Sequence, residues 1–133
     1  MEDRLVKIAE RCLQGAEQDT MTFPQIVGLL IGEGFESYFV DFRRARAIYY
    51  RPDGDYVELA THVEPTPVAA AFDTGAIQAA IREAQQLAPG YTYQGFCRKV
   101  MAAGCAGYLI SFSGRRAVYF GRTGETHVEL FPQ

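Results

Sequence analysis

The sequence predicts an α+β protein, built as an internally duplicated helix–helix–three-stranded-meander unit whose copies are related by a pseudo-twofold axis. Three observations lead there. Residues 22–59 reappear seventy positions on, at 92–130, sharing Thr22/Thr92, Gly34/Gly104, Tyr38/Tyr108, Phe42/Phe112, Arg46/Arg116, Ala47/Ala117, Tyr49/Tyr119 and Gly54/Gly124. Each copy opens with an apolar stripe at helical spacing that stops at a glycine, then breaks into three short runs of aromatic and β-branched residues. A further amphipathic segment precedes each copy.

Residues 2–15 place Leu5, Ile8, Ala9 and Cys12 on one helical face, with Gly15 as the expected stop. Thr22 and Gln25 have the spacing of a capping box, and Pro24 falls in the first turn, where its missing N–H costs nothing. Phe23, Ile26, Val27 and Leu30 form the stripe of that helix, and Gly34 ends it. Strands are expected over 38–42, 46–50 and 56–60, separated by Arg43-Arg44-Ala45 and Pro52-Asp53-Gly54. The second half repeats the order: Asp73 caps a helix through Leu87, Thr92 caps one ending at Gly104, and strands follow over 108–112, 116–120 and 126–131. One inserted residue brings Val57-Glu58-Leu59 onto Val128-Glu129-Leu130. The halves are thus 1–63 and 72–133, with the Pro-containing connector 64–71 between them in a single domain. A three-stranded meander cannot bury its own face, so the helices must cover it.

Composition narrows the function. A net charge of −3 argues against a protein devoted to coating phosphate backbones. The three cysteines, Cys12, Cys97 and Cys105, lack C-x-x-C spacing and read as small core residues among helical neighbours. The charged start MEDRLVKIAERC is no secretory signal, and the longest apolar run, 26–32, is too short to span a bilayer. The expectation is a cytoplasmic protein with reduced thiols and no membrane partner.

The segments Gly107-Tyr108-Leu109-Ile110, Gly114-Arg115-Arg116-Ala117-Val118-Tyr119-Phe120-Gly121-Arg122 and Gly124-Glu125-Thr126-His127-Val128-Glu129 resemble the YbcV-like family of small bacterial proteins. So do Thr22-Phe23-Pro24-Gln25-Ile26-Val27 and Tyr38-Phe39-Val40-Asp41-Phe42-Arg43. The resemblance spans nearly the whole chain. It implies a phage association and no established activity, cofactor or catalytic residue.

Four sets of residues carry possible chemistry. Arg46/Arg116, Tyr49/Tyr119 and Glu58/Glu129 recur in both halves, either as cross-strand pairs or as a polar groove near the pseudo-twofold axis that grips an anionic or polar ligand. His62-Val63-Glu64 and His127-Val128-Glu129 each offer an imidazole and a carboxylate on one face of an extended strand, weak candidates for a metal set of His62, Glu64, His127 and Glu129. Arg43, Arg44, Arg46, Arg51, Arg115, Arg116 and Arg122 interleave with Tyr49, Tyr50, Tyr119 and Phe120, a pattern that can track single-stranded nucleic acid. Ser113, His127 and Glu129 can be written as a triad, supported only by residue type. The reading is a non-enzymatic binding or interaction protein without a cofactor, taking a protein partner and forming a homodimer through the aromatic and arginine-bearing sheet. A nucleic-acid or polar-ligand binder and a metal-dependent enzyme are the alternatives.

Overall fold

The computed structural model describes residues 1–132. They form α1 (Asp3–Glu17), α2 (Phe23–Gly32), β1 (Ser37–Asp41), β2 (Arg46–Tyr50), β3 (Tyr56–Ala60), α3 (Thr74–Gln86), α4 (Tyr93–Ala102), β4 (Cys105–Ser111), β5 (Arg116–Gly121) and β6 (Thr126–Leu130). All six strands join one antiparallel sheet in the order β3-β2-β1-β4-β5-β6, with the helices on one face. This is the α+β class that the sequence predicts.

The local signals explain the elements. Thr22 Oγ1 accepts the Gln25 N–H while Gln25 Oε1 accepts the Thr22 N–H, completing the capping box on α2. Thr92 caps α4 through the Gly95 N–H, and Asp73 caps α3 through the Ala76 N–H. Gly34 and Gly104 follow their helices in the left-handed region, at φ +85° and +95°. Gly15 is different from its expected role. It lies inside α1, and a Cβ there would meet the Met21 side chain at 2.6 Å, so glycine serves close packing rather than a stop. Likewise Cys105 belongs to β4, whereas Cys12 and Cys97 lie on helices; all three are buried.

The central pairing has an internal symmetry. Phe39 faces Leu109, seventy positions on, and exchanging each residue n for n + 70 turns the pair Ser37↔Ser111 into Asp41↔Gly107. The turns agree. Arg51 N–H donates to Asp55 O and Gly121 N–H to Glu125 O; Thr61 N–H donates to Ala45 O and Phe131 N–H to Arg115 O. The β2–β3 and β5–β6 turns therefore have equal length, and β3 and β6 stay in step without an inserted residue. In strand register Val57 corresponds to His127, Glu58 to Val128 and Leu59 to Glu129. The alignment of Glu58 with Glu129 is thus corrected: a slip of one residue moves every side chain to the other face of the sheet.

The helix face of the sheet holds two rows. One runs Val57–Tyr49–Tyr38–Ile110–Ala117–Glu129; the other runs Leu59–Ala47–Val40–Tyr108–Tyr119–His127. Helix α1 packs on β3, above Val57 and Leu59, and α4 packs on β4. The counterparts of these contacts, α3 on β6 and α2 on β1, are not made to a comparable extent. Nor do α2 and α3 close on each other as α1 and α4 do. The polar pair His127 and Glu129 occupies β6 where β3 offers Val57 and Leu59, so α3 has no apolar seat there and stands off.

Candidate functional site

The space left under α2 and α3 is a cavity of about 960 Å³, at the upper end of the range for small-molecule sites. Its floor is the helix face of the sheet, where Tyr38, Tyr49, Tyr108 and Tyr119 form a continuous cluster. Tyr38 stacks on Tyr49 at 5.3 Å between ring centroids and meets the edge of Tyr108 at 6.4 Å; Tyr108 lies 5.5 Å from Tyr119. Tyr93, from the first turn of α4, closes one wall with its hydroxyl 2.6 Å from that of Tyr108. That turn is held by the Tyr93 N–H, which donates to Asp19 Oδ1 at 2.9 Å. Apolar walls come from Ile26 and Val27 of α2, Ile81 and Ala84 of α3, and Phe131.

The hydroxyls decide what the cavity can hold. Burial raises the pKa values of Tyr38, Tyr49, Tyr93, Tyr108 and Tyr119 well above the ordinary phenol range and pushes Tyr91 up to about 12, so all six are neutral at physiological pH. Among the described residues, the hydroxyls of Tyr38, Tyr49, Tyr91 and Tyr119 make no hydrogen bond to protein, yet none is a sealed polar atom. Each keeps access to open space and a free donor. The charged lining is confined to Asp19, Arg115 and Glu129, and the first two are exposed. Burial pushes the Cys12 thiol, at the cavity wall, up to about 11, which leaves it a poor nucleophile at neutral pH.

The recurring polar set is divided between the two faces of the sheet. Tyr49, Tyr119 and Glu129 line the cavity, whereas Arg46, Glu58 and Arg116 lie on the uncovered face. There Arg46 Nε is 3.5 Å from Glu58 Oε2, and Arg116 Nε donates to Gly114 O. Arg46 on β2 and Arg116 on β5 are three strands apart across the sheet and four residues apart along it, roughly 20 Å in all. His127 Nε2 is 2.9 Å from Glu129 Oε2 and stacks on Tyr119. His62 belongs to another cluster: its Nδ1 is 2.8 Å from Glu17 Oε2 and its Nε2 is 3.6 Å from Glu64 Oε2, with Arg98 on Glu64. Among the described residues no group of three or more His, Cys, Asp or Glu side chains is placed to hold a metal ion. No hydrogen bond joins Ser113 to His127 among them either.

The other arginines are spread over both ends of the sheet and are mostly engaged. Arg51 donates to Glu33 O and lies over the Phe35 ring, Arg44 pairs with Glu58, and Arg122 donates to Val68 O. Tyr38 and Tyr108, central to the cavity, are identical in both halves but escaped assignment because only the strand register sets them beside Tyr49 and Tyr119.

No curated protein matches the chain. A family profile does, over residues 11–129, nearly the whole of both halves. The chain belongs to DUF1398, a family of proteins of unknown function.

Proposed function

We propose that the protein is a non-enzymatic binding protein that takes a small, uncharged, largely apolar molecule into the cavity between α2, α3 and the sheet. The observation that carries this is the cluster of buried tyrosines with free hydroxyls facing about 960 Å³ of space. A sheet face serving stability alone would have its covering helices packed down to native density rather than leave such space. The tyrosine rings supply apolar surface and the hydroxyls supply neutral donors and acceptors. The ligand that fits is therefore a ring system or branched hydrocarbon bearing a hydroxyl or carbonyl group. A buried carboxylate or phosphate meets no cation inside, and an unpaired buried charge costs several kcal/mol. Glu129 and Arg115 at the rim suit a polar group left near solvent.

The repeated register supports reading the fold as a duplicated unit in which each half kept one helix on the sheet, α1 and α4, and left the other, α2 and α3, standing off it. Binding is measured by titrating the full chain with the neutral fluorescent probe N-phenyl-1-naphthylamine. The expectation is saturable binding at micromolar probe, weakened more than tenfold by Ala84→Trp, which fills the gap on the α3 side. Equal binding by the wild type and Ala84→Trp, both folded, contradicts the proposal.

A further inference from the structure

The second face of the sheet has no helices over it. Its residues form three rows across the six strands. The middle row runs Glu58–Ile48–Phe39–Leu109–Val118–Val128, flanked by Tyr56–Tyr50–Ser37–Ser111–Arg116–Leu130 and Ala60–Arg46–Asp41–Gly107–Phe120–Thr126. Apolar side chains dominate the middle, Phe39 stacks on Phe120 at 5.6 Å, and Tyr56 on one edge strand and Val128 and Leu130 on the other are 58%, 43% and 62% exposed. A contiguous apolar face of this extent marks an interaction surface.

We infer that this face binds a second copy of the chain, sheet on sheet, about a twofold axis parallel to the strands. Two twofold axes lying between the sheets keep the strands of the two copies aligned, as face-to-face sheets require, and the charges choose between them. An axis across the strands sets Glu58 of one copy against Glu58 of the other, a like-charge contact. The axis along the strands sets Ile48 over Val118, Phe39 over Leu109 and Tyr56 over Leu130. Either axis sets Arg46 and Arg116 against aromatic rings, Phe120 and Tyr50 respectively in this arrangement, where a guanidinium is attracted to the aromatic face, so the Glu58 contact alone makes the choice. Each contact occurs twice, as an isologous interface demands. Six strands about 4.8 Å apart and five residues at about 3.4 Å give a flat footprint of roughly 490 Å² per copy, and about 1,000 Å² for the pair reaches the size of a biological interface. Glu58 over Val128 and Asp41 over Gly107 are poorly matched, and the first, at the edge, supplies the test.

Sedimentation velocity of the full chain between 1 and 100 μM is expected to show a dimer. Val118→Glu, in the middle row, is expected to raise the dissociation constant more than tenfold. At the exposed position 128, Val128→Lys meets Glu58 of the other copy and is expected to tighten the dimer, whereas Val128→Glu loosens it. These last two changes lie on the surface and leave the fold intact, which circular dichroism verifies. A wild type that stays monomeric at 100 μM overturns the inference, whether or not it captures another protein or a nucleic acid. So does a dimer that Val128→Lys and Val128→Glu shift in the same direction.

Discussion

Burial sets the protonation of the cavity at the level of single side chains, and it makes a pH prediction. Besides the tyrosines, burial pushes the thiols of Cys12 and Cys105 up to about 11 and that of Cys97 up to about 12. In the unfolded chain thiols ionise near about 8.5 and phenols near about 10. The folded state therefore holds these protons to higher pH than the unfolded state does. Their contribution to stability is complete below about pH 8.5 and falls as pH rises, by about 1.4 kcal/mol per pH unit for each group between its two values. Thermal unfolding followed from pH 8 to 11.5 should show a melting temperature that declines from about pH 9 and more steeply above 10. A melting temperature unchanged across that range contradicts the burial of these groups. Two glycines give a second residue-level contrast. Both have positive φ, but a Cβ at Gly104 would lie 2.0 Å from the backbone oxygen of Ala71, whereas at Gly34 it meets the movable Arg51 guanidinium at 3.1 Å. Gly34→Ala is expected to cost about 1 kcal/mol and Gly104→Ala about 3 kcal/mol or more, read by urea denaturation.

Among the elements, the difference between β3 and β6 governs whether a helix closes on the sheet. Val57 and Leu59 seat α1; His127 and Glu129 in the same places leave α3 without an apolar seat. Restoring the β3 pattern with His127→Val and Glu129→Leu together is expected to draw α3 down, raise stability by on the order of 2 kcal/mol and abolish probe binding. Unchanged stability with full binding argues that something else holds α3 away. The same strands show what the sequence could convey. Capping spacings at Thr22, Asp73 and Thr92 and the alternation along β1, β2, β4 and β5 follow from local chemistry, so these elements were legible. Strand partners are not local. The likeness of Val57-Glu58-Leu59 to Val128-Glu129-Leu130 suggested an inserted residue, and only the paired turns reveal that none exists. Glu129 consequently reaches the cavity while Glu58 faces away. Whether the meanders form one sheet also depends on the β1–β4 pairing, which no sequence pattern in either strand specifies.

On the scale of the whole molecule, one sheet carries two unlike surfaces. One face is covered by helices that leave a tyrosine-floored space; the other is bare and apolar in its middle row. The four tyrosines come from both halves, Tyr38 and Tyr49 from the first and Tyr108 and Tyr119 from the second, so neither half alone makes the cavity. The β1–β4 pairing brings them together, with Gly107 packed so closely that a Cβ would lie 2.3 Å from Val40 O. Gly107→Val is expected to disrupt that seam and to lose fold and binding together, whereas Tyr38→Phe removes only a hydroxyl and should weaken an oxygen-bearing ligand while sparing the fold. The most direct measurement is a crystal structure of the chain grown with N-phenyl-1-naphthylamine. Probe density is expected above Tyr38, Tyr108 and Tyr119, with α3 held off β6; α3 packed down on β6, or probe only on the uncovered face, would overturn the assignment of the cavity as the binding site.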